Sequence, residues 1–165
     1  MIRWRFLLVV SLAVILSLLG GLGYAADKNV ASVLKDAGNF TTFLKALEAT
    51  GMLEELSGEG PLTVFAPTDE AFANLENVNE LFSEENLDKL TTLVNYHIVS
   101  SDKYTVEDLK GLEEGELFTN GGSIKISSEG NQVKIGDNIN IIETIDASNG
   151  VIYVIDGVIV PQKEE

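Results

Sequence analysis

A chain of 165 residues, 45% hydrophobic and 22% charged, is long enough for one packed domain and too short for two. With no cysteine and a single histidine, it can build no disulfide, no thiolate or multi-histidine metal site, and no Ser-His-Asp triad without His97. A formal charge of −15 argues against nucleic acid and anionic membrane surfaces as partners, and suits a dissolved domain.

Met1–Ala25 reads as a targeting segment. Arg3 and Arg5 form a basic start, Phe6–Leu19 an apolar run, and Gly20–Ala25 supplies breakers and small residues for cleavage after Ala25. No cysteine follows to carry a lipid anchor. Removing Arg3 and Arg5 leaves 9 basic against 26 acidic residues, a charge of −17. The expectation is export to the periplasm or outside the cell, with residues 26–165 forming the domain and no membrane insertion after cleavage.

The next segment is helical. Val30, Val33 and Leu34 mark a short helix ending near Gly38. Asn39 is the expected N-cap of a second helix, in which Phe40, Phe43, Leu44 and Leu47 recur at helical spacing; Gly51 suits its left-handed end. Asn39-Phe40-Thr41 is also a glycosylation sequon, and capping is the preferred reading. Met52, Leu53 and Leu56 continue as a third helix.

Gly60–Leu75 is the stretch around which the chain is organised. Leu62–Phe65 reads as a buried strand, and Pro67 keeps Ala66 extended. Thr68 then caps a helix whose first turn carries Asp69 and Glu70, with Ala71, Phe72 and Leu75 as its apolar face. Pro67, Thr68 and Asp69 thus form a structural corner. Glu76–Glu80 follows as a polar loop, and Ser83 is the expected cap of a helix over Glu84–Val99. Leu87, Leu90, Val94, His97 and Ile98 share its buried face. His97 is expected to be a core histidine hydrogen-bonded to Thr68 or Asp69.

Beyond Ser100 strands dominate. Tyr104–Val106 reads as a strand, Glu107–Leu109 as a turn or a single helical turn, and Leu117–Thr119 as a strand before the Asn120-Gly121-Gly122 turn. Ile124 and Ile126 alternate with polar residues, as do Val133 and Ile135, giving a hairpin about Ser128–Asn131. Ile139–Ile145 is a strand with a bulge at Ile141-Ile142. Asn149-Gly150 turns into Val151–Ile155, apolar on both faces and so central. Asp156 and Gly157 bend the chain into Val158–Val160, which Pro161 stops. Helices first and strands second make an α+β pattern.

Three stretches, Gly60–Leu75 (GPLTVFAPTDEAFANL), Asn95–Val99 (NYHIV) and Ala147–Pro161 (ASNGVIYVIDGVIVP), together resemble a fasciclin (FAS1) domain, from about Asn29 to Pro161. The resemblance implies a wedge of two β-sheets with N-terminal helices packed along it. It also implies a secreted, non-enzymatic adhesion module, monomeric, whose partner is a cell-surface or extracellular-matrix protein or polysaccharide. Tyr96 and His97, with Ile98 and Val99 beside them, match the family's tyrosine-histidine motif and become the candidate partner-binding residues. Asp156 and Gly157 join Pro67, Thr68 and Asp69 as structural motif residues.

Two other classes compete with this reading. A carrier of a small apolar or polymeric ligand would use aromatics such as Phe82, Tyr104 and Phe118 to line a groove. A carboxylate-dependent hydrolase would draw on Asp69, Glu70 or Asp156, yet each already has a place in a cap, a first helical turn or a bend. Asp137-Asn138-Ile139-Asn140 is too short for a calcium loop. No catalytic, cofactor or metal residue is assigned.

Overall fold

The computed structural model describes residues 27–112 and 115–161; the expected targeting segment lies outside the described residues. Three helices open the domain: α1 (Val30–Ala37), α2 (Thr41–Ala49) and α3 (Leu53–Ser57). The Asn29 side chain accepts the Ser32 N–H at 2.9 Å to start α1, which ends at Gly38 with φ at +78°. Val30, Leu34, Phe43, Leu47 and Leu56 are fully buried, so the predicted apolar stripes face one core.

β1 (Leu62–Pro67) is buried along its whole length. Its only polar side chain, Thr63, donates to the Asp102 carbonyl at 2.8 Å and accepts the Tyr104 N–H at 2.9 Å. As the sequence predicts, Pro67 ends the strand and the Thr68 hydroxyl accepts the Ala71 N–H at 3.2 Å, starting α4 (Asp69–Ala73).

The start of α2 corrects the sequence reading. Asn39 does not cap it; Phe40 occupies the N-cap position and offers no acceptor. The cap arrives from 27–28 residues away: Asp69 accepts the Thr42 N–H at 2.7 Å, the Thr41 N–H at 3.3 Å and the Thr41 hydroxyl. Asp69 returns its own N–H to the Asn39 carbonyl at 2.9 Å. Burial alone would raise the Asp69 carboxyl, but the hydrogen bonds from Thr41 and Thr42 outweigh it and hold it below the usual carboxylate range. Two helix starts therefore lock each other.

The expected loop after α4 contains a short helix, α5 (Val78–Leu81), and the expected helix over Glu84–Val99 is shorter. A 3₁₀ turn (Glu84–Asn86) leads into α6 (Leu87–Asn95), and Ser83 donates its hydroxyl to the Glu80 carbonyl at 2.7 Å instead of capping. Leu87, expected inside, is exposed. Ile98 and Val99 leave the helix to form β2 (Ile98–Val99), antiparallel to β1, because pairing there buries both on the sheet. Tyr104–Val106 is not a strand either. Thr105 and Asp108 make a reciprocal capping box, with N–H bonds of 3.2 and 2.8 Å, that starts α7 (Val106–Gly111).

The remaining strands are β3 (Glu116–Phe118), β4 (Ser123–Glu129), β5 (Gln132–Ile135), β6 (Ile139–Ala147) and β7 (Gly150–Ile155). Their order with the first two is β2-β1-β7-β6-β5-β4-β3; only β1 and β7 run parallel. β6 is shared. Ile139 and Asn140 pair with β5, and Ile141 and Glu143–Ala147 with β7, with the predicted bulge at Ile142 between them. The two halves of the expected wedge are thus one hydrogen-bonded run. It also returns on itself, since beyond β3 the Asn120 N–H donates to the β2 carbonyl of Ile98 at 2.9 Å.

The β1–β7 pair separates two cores. On one face Val64, Ala66, Ile152 and Val154 meet the helices. On the other, Phe65, Val151, Tyr153 and Ile155 meet Ile126, Val133 and Ile135 of β4 and β5. Phe65 and Tyr153 are register partners, and their rings stack with centroids 5.6 Å apart. After β7 the expected strand Val158–Val160 is irregular chain. It is fastened at Asp156, whose carboxylate accepts the Asn140 N–H at 2.8 Å and its side-chain amide at 2.9 Å. A Cβ at Gly157 would lie 2.9 Å from Ile139 Cγ1, so only glycine passes there without displacing that side chain.

These caps make a graded prediction. Thr68→Ala removes one acceptor and should cost about 1 kcal/mol in urea unfolding, and Asp69→Ala about 2 kcal/mol because it uncaps α2 across the chain. Equal losses in the two variants would rule out the cross-chain cap.

Candidate interaction site around Tyr96

The tyrosine-histidine motif lies where α6 hands over to β2, and its two residues have different fates. His97 is wholly enclosed. Its Nδ1 lies 2.7 Å from the Leu93 carbonyl, and its Nε2 lies 3.0 Å from the Ile159 N–H. A carbonyl can only accept and an amide can only donate, so Nδ1 carries the proton and Nε2 carries none. The expected partners, Thr68 and Asp69, are occupied at the helix caps, and His97 instead ties α6 to the irregular segment after β7. The Phe43 ring sits beside it, centroids 5.9 Å apart. Burial pushes the imidazole down to about 4, with the Leu93 bond opposing.

Ile98 and Val99 are buried as well. Of the four residues picked from the motif, Tyr96 alone retains accessible surface. Its ring lies on the Asn120-Gly121-Gly122 turn: a Cβ at Gly121 would come 2.6 Å from Tyr96 Cδ2 and 2.8 Å from the Tyr96 backbone N. At Gly122, φ is +149° and a Cβ would meet the phenol oxygen at 2.6 Å. The turn is glycine because the ring is there.

Tyr96 forms one wall of a groove of about 530 Å³, which Glu116, Lys125, Ile139 and Val160 also line. Glu116 and Phe118 share the outward face of β3, since Leu117 between them is buried. Val160, in the groove wall, is 53% exposed, and Phe118, whose register partner Ser123 lines the groove, is 71% exposed. The Glu116–Lys125 register places opposite charges side by side in the groove. Val160 was not signalled by pattern, because its exposure depends on how His97 seats Ile159.

The aromatics of the carrier reading do not converge. Phe82 packs on the helical core, Tyr104 on the β4–β5 core, and Phe118 faces solvent. The acids of the hydrolase reading do converge, since Asp69, Glu70 and Asp156 line one cleft of about 440 Å³. Asp69 and Asp156, however, spend their carboxylates on backbone amides, and Asp69 is held as an anion, the wrong state for a general acid.

A helix layer and a mixed sheet around a parallel pair buried on both faces define an α+β domain of fasciclin type. The FAS1 domain pair of the insect cell adhesion molecule fasciclin I superposes with a TM-score of 0.72 at 23% identity, over 82% of this chain and 52% of that one. The chain belongs to the fasciclin domain family, whose profile matches residues 38–161. Two relatives come from Synechocystis: protein sll1483, 40% identical over 83% of this chain and 77% of its own length, and the uncharacterized protein sll1735, 36% identical over 79% and 96%. Mouse Stabilin-1 is 34% identical over 82% of this chain, which spans 5% of that protein.

The histidine geometry sets a pH dependence. The unfolded chain takes up a proton near pH 6.5 and the folded one near 4. His97's contribution is therefore full above pH 6.5 and is lost as the pH falls towards 4, about 3 kcal/mol in all. His97→Ala should cost about 3 kcal/mol at pH 7 and flatten the stability profile between pH 6.5 and 5. A variant with an unchanged slope would show that His97 does not titrate as described. Gly121→Ala should displace the Tyr96 ring and cost about 2 kcal/mol, seen as shifted Tyr96 ring resonances.

Proposed function

We propose that this domain is an exported, non-enzymatic adhesion module that binds a cell-surface or extracellular-matrix protein or polysaccharide through the Tyr96 groove and its apolar rim. The observation that carries this reading is Phe118, left 71% exposed on the outward face of β3, where its register partner Ser123 lines the groove that Tyr96 walls. Large aromatic groups held in water on a fixed scaffold favour contact with a partner, because burying them there releases water at little entropic cost. The structural kin of this fold include a cell adhesion molecule by name. The basic and apolar start of the chain supports export, and no helix among the described residues is long and apolar enough to cross a membrane. The non-enzymatic part draws support from His97, which both its backbone partners hold away from any substrate, and from the structural use of Asp69 and Asp156.

The test is retention of the purified protein on envelope and extracellular-polymer fractions at low and high salt. Phe118→Ser should lower retention about tenfold while shifting stability by no more than about 0.5 kcal/mol. Undiminished retention in that variant would remove the groove rim from the contact. A protein that is not retained, but carries a small molecule through purification, would turn the reading to a carrier.

A further inference from the structure

β5 and β6 start as neighbours and then part. Only Lys134–Asn140 and Ile135–Ile139 pair between them, while β6 runs on to Ala147 against β7. The bulge between Ile141 and Glu143 marks the divergence, since an extra residue bends and twists its strand away from the former partner. A cleft of about 510 Å³ remains, lined among others by Val106, Gln132, Val133, Ile141, Glu143 and Thr144. It shares no lining residue with the Tyr96 groove.

The β6 wall of this cleft is a strand edge without a neighbour. The two-residue turn Ser148-Asn149 makes Ala147 and Gly150 a hydrogen-bonded pair. Alternation along the ladder then puts Ile145 and Glu143 in bonded pairs, and turns the backbone groups of Thr144 and Asp146 away from β7. Among the described residues, no backbone group of another element meets them. Ile142, the bulged residue, is 58% exposed, and Glu143 and Thr144 are exposed too. The floor is apolar: Val133 is buried, Val106 and Ile141 half-buried. An unpaired edge above an apolar floor is what an extended chain completes, its side chains pointing alternately down and out.

Charge selects the occupant. Glu143 is the one acidic or basic side chain lining the cleft, and it joins none of the ion pairs among the described residues. Two lysines on this side of the sheet are engaged, Lys103 with Asp146 at 3.1 Å and Lys134 with Glu129 at 2.7 Å. A second copy of this chain would bring the same acidic edge against it, in a protein of charge −15. The geometry points to the β6 edge, Ile142–Asp146, as a docking site for an extended basic segment of a partner protein, which adds as a strand and places a lysine or arginine against Glu143.

Amide hydrogen exchange on the full chain tests this with a blocked seven-residue peptide alternating lysine with valine and threonine, and with a counterpart carrying glutamate for lysine. The lysine peptide should slow exchange at Thr144 and Asp146 about tenfold, less so at high salt, and the glutamate peptide should not. Thr144→Pro removes an outward N–H where an edge strand tolerates proline; it should keep the unfolding midpoint and lose the protection of Asp146. Glu143→Lys should reverse the preference between the peptides. Equal protection by both peptides, or protection only around Tyr96, would overturn the proposal. So would protection of Thr144 that rises with protein concentration in the absence of peptide, since the occupant would then be a second copy. A bulged, charged edge that takes no strand at all would be one built to refuse pairing.

Discussion

The parallel pairing of β1 with β7 is the constraint on which the rest of the domain depends. Leu62 to Pro67 pair one for one with Gly150 to Ile155, and all twelve residues are buried. A strand pair buried on both faces needs a cover on each. The helices supply one cover and the β4–β5 hairpin the other, and β6 reaches both because its bulge lets it change partners partway along. The apolar composition of the two strands thus requires the two-core architecture.

The covers are fastened by a few polar side chains working at long range. Asn149, in the turn before β7, accepts the Val30 N–H at 2.9 Å and donates to the carbonyls of Leu56 and Gly58 at 2.9 and 2.8 Å, joining α1 and the end of α3 to the sheet. Asp69 joins α4 to α2, and His97 joins α6 to the segment after β7. Each satisfies backbone groups that helix ends or irregular chain would otherwise leave bare. Tyr96, one residue from His97, inherits its placement from that fastening. The motif therefore combines an internal rivet, His97, with a half-buried ring at the surface, Tyr96.

What the sequence discloses follows the range of the interaction. Val151–Ile155 reads as central because both faces are apolar, and Ile141-Ile142 reads as a bulge because alternation fails there; both signals lie within a few residues. Thr68 is likewise a local cap. Asn39 misleads because the true cap for α2 comes from Asp69, which no local rule can see. The predicted helix overran Asn95 because helical spacing of apolar residues continues to Ile98, while pairing with β1 decides otherwise. Tyr104-Thr105-Val106 reads as a strand because aromatic and β-branched residues run together there, although Asp108, three residues after Thr105, completes a capping signature. At the candidate site, Tyr96 stands out as a motif. That Ser123, the register partner of Phe118, and Val160 line a groove with it depends on strand register and on the His97 bond, neither of which is written locally.

The order in which the chain leaves the ribosome gives the β1–β7 pair a further consequence. β1 is made early, but its partner begins 88 residues later, at Gly150. Until β7 emerges, β1 has only two-residue β2 to pair with, and the helical core lacks Ile152 and Val154. Loop-closure entropy is met before any of that burial is gained, so the domain should fold late and as a unit. A chain that ends before Gly150 should therefore be unable to complete either core, so truncation anywhere before β7 should cost the whole fold and not one part of it.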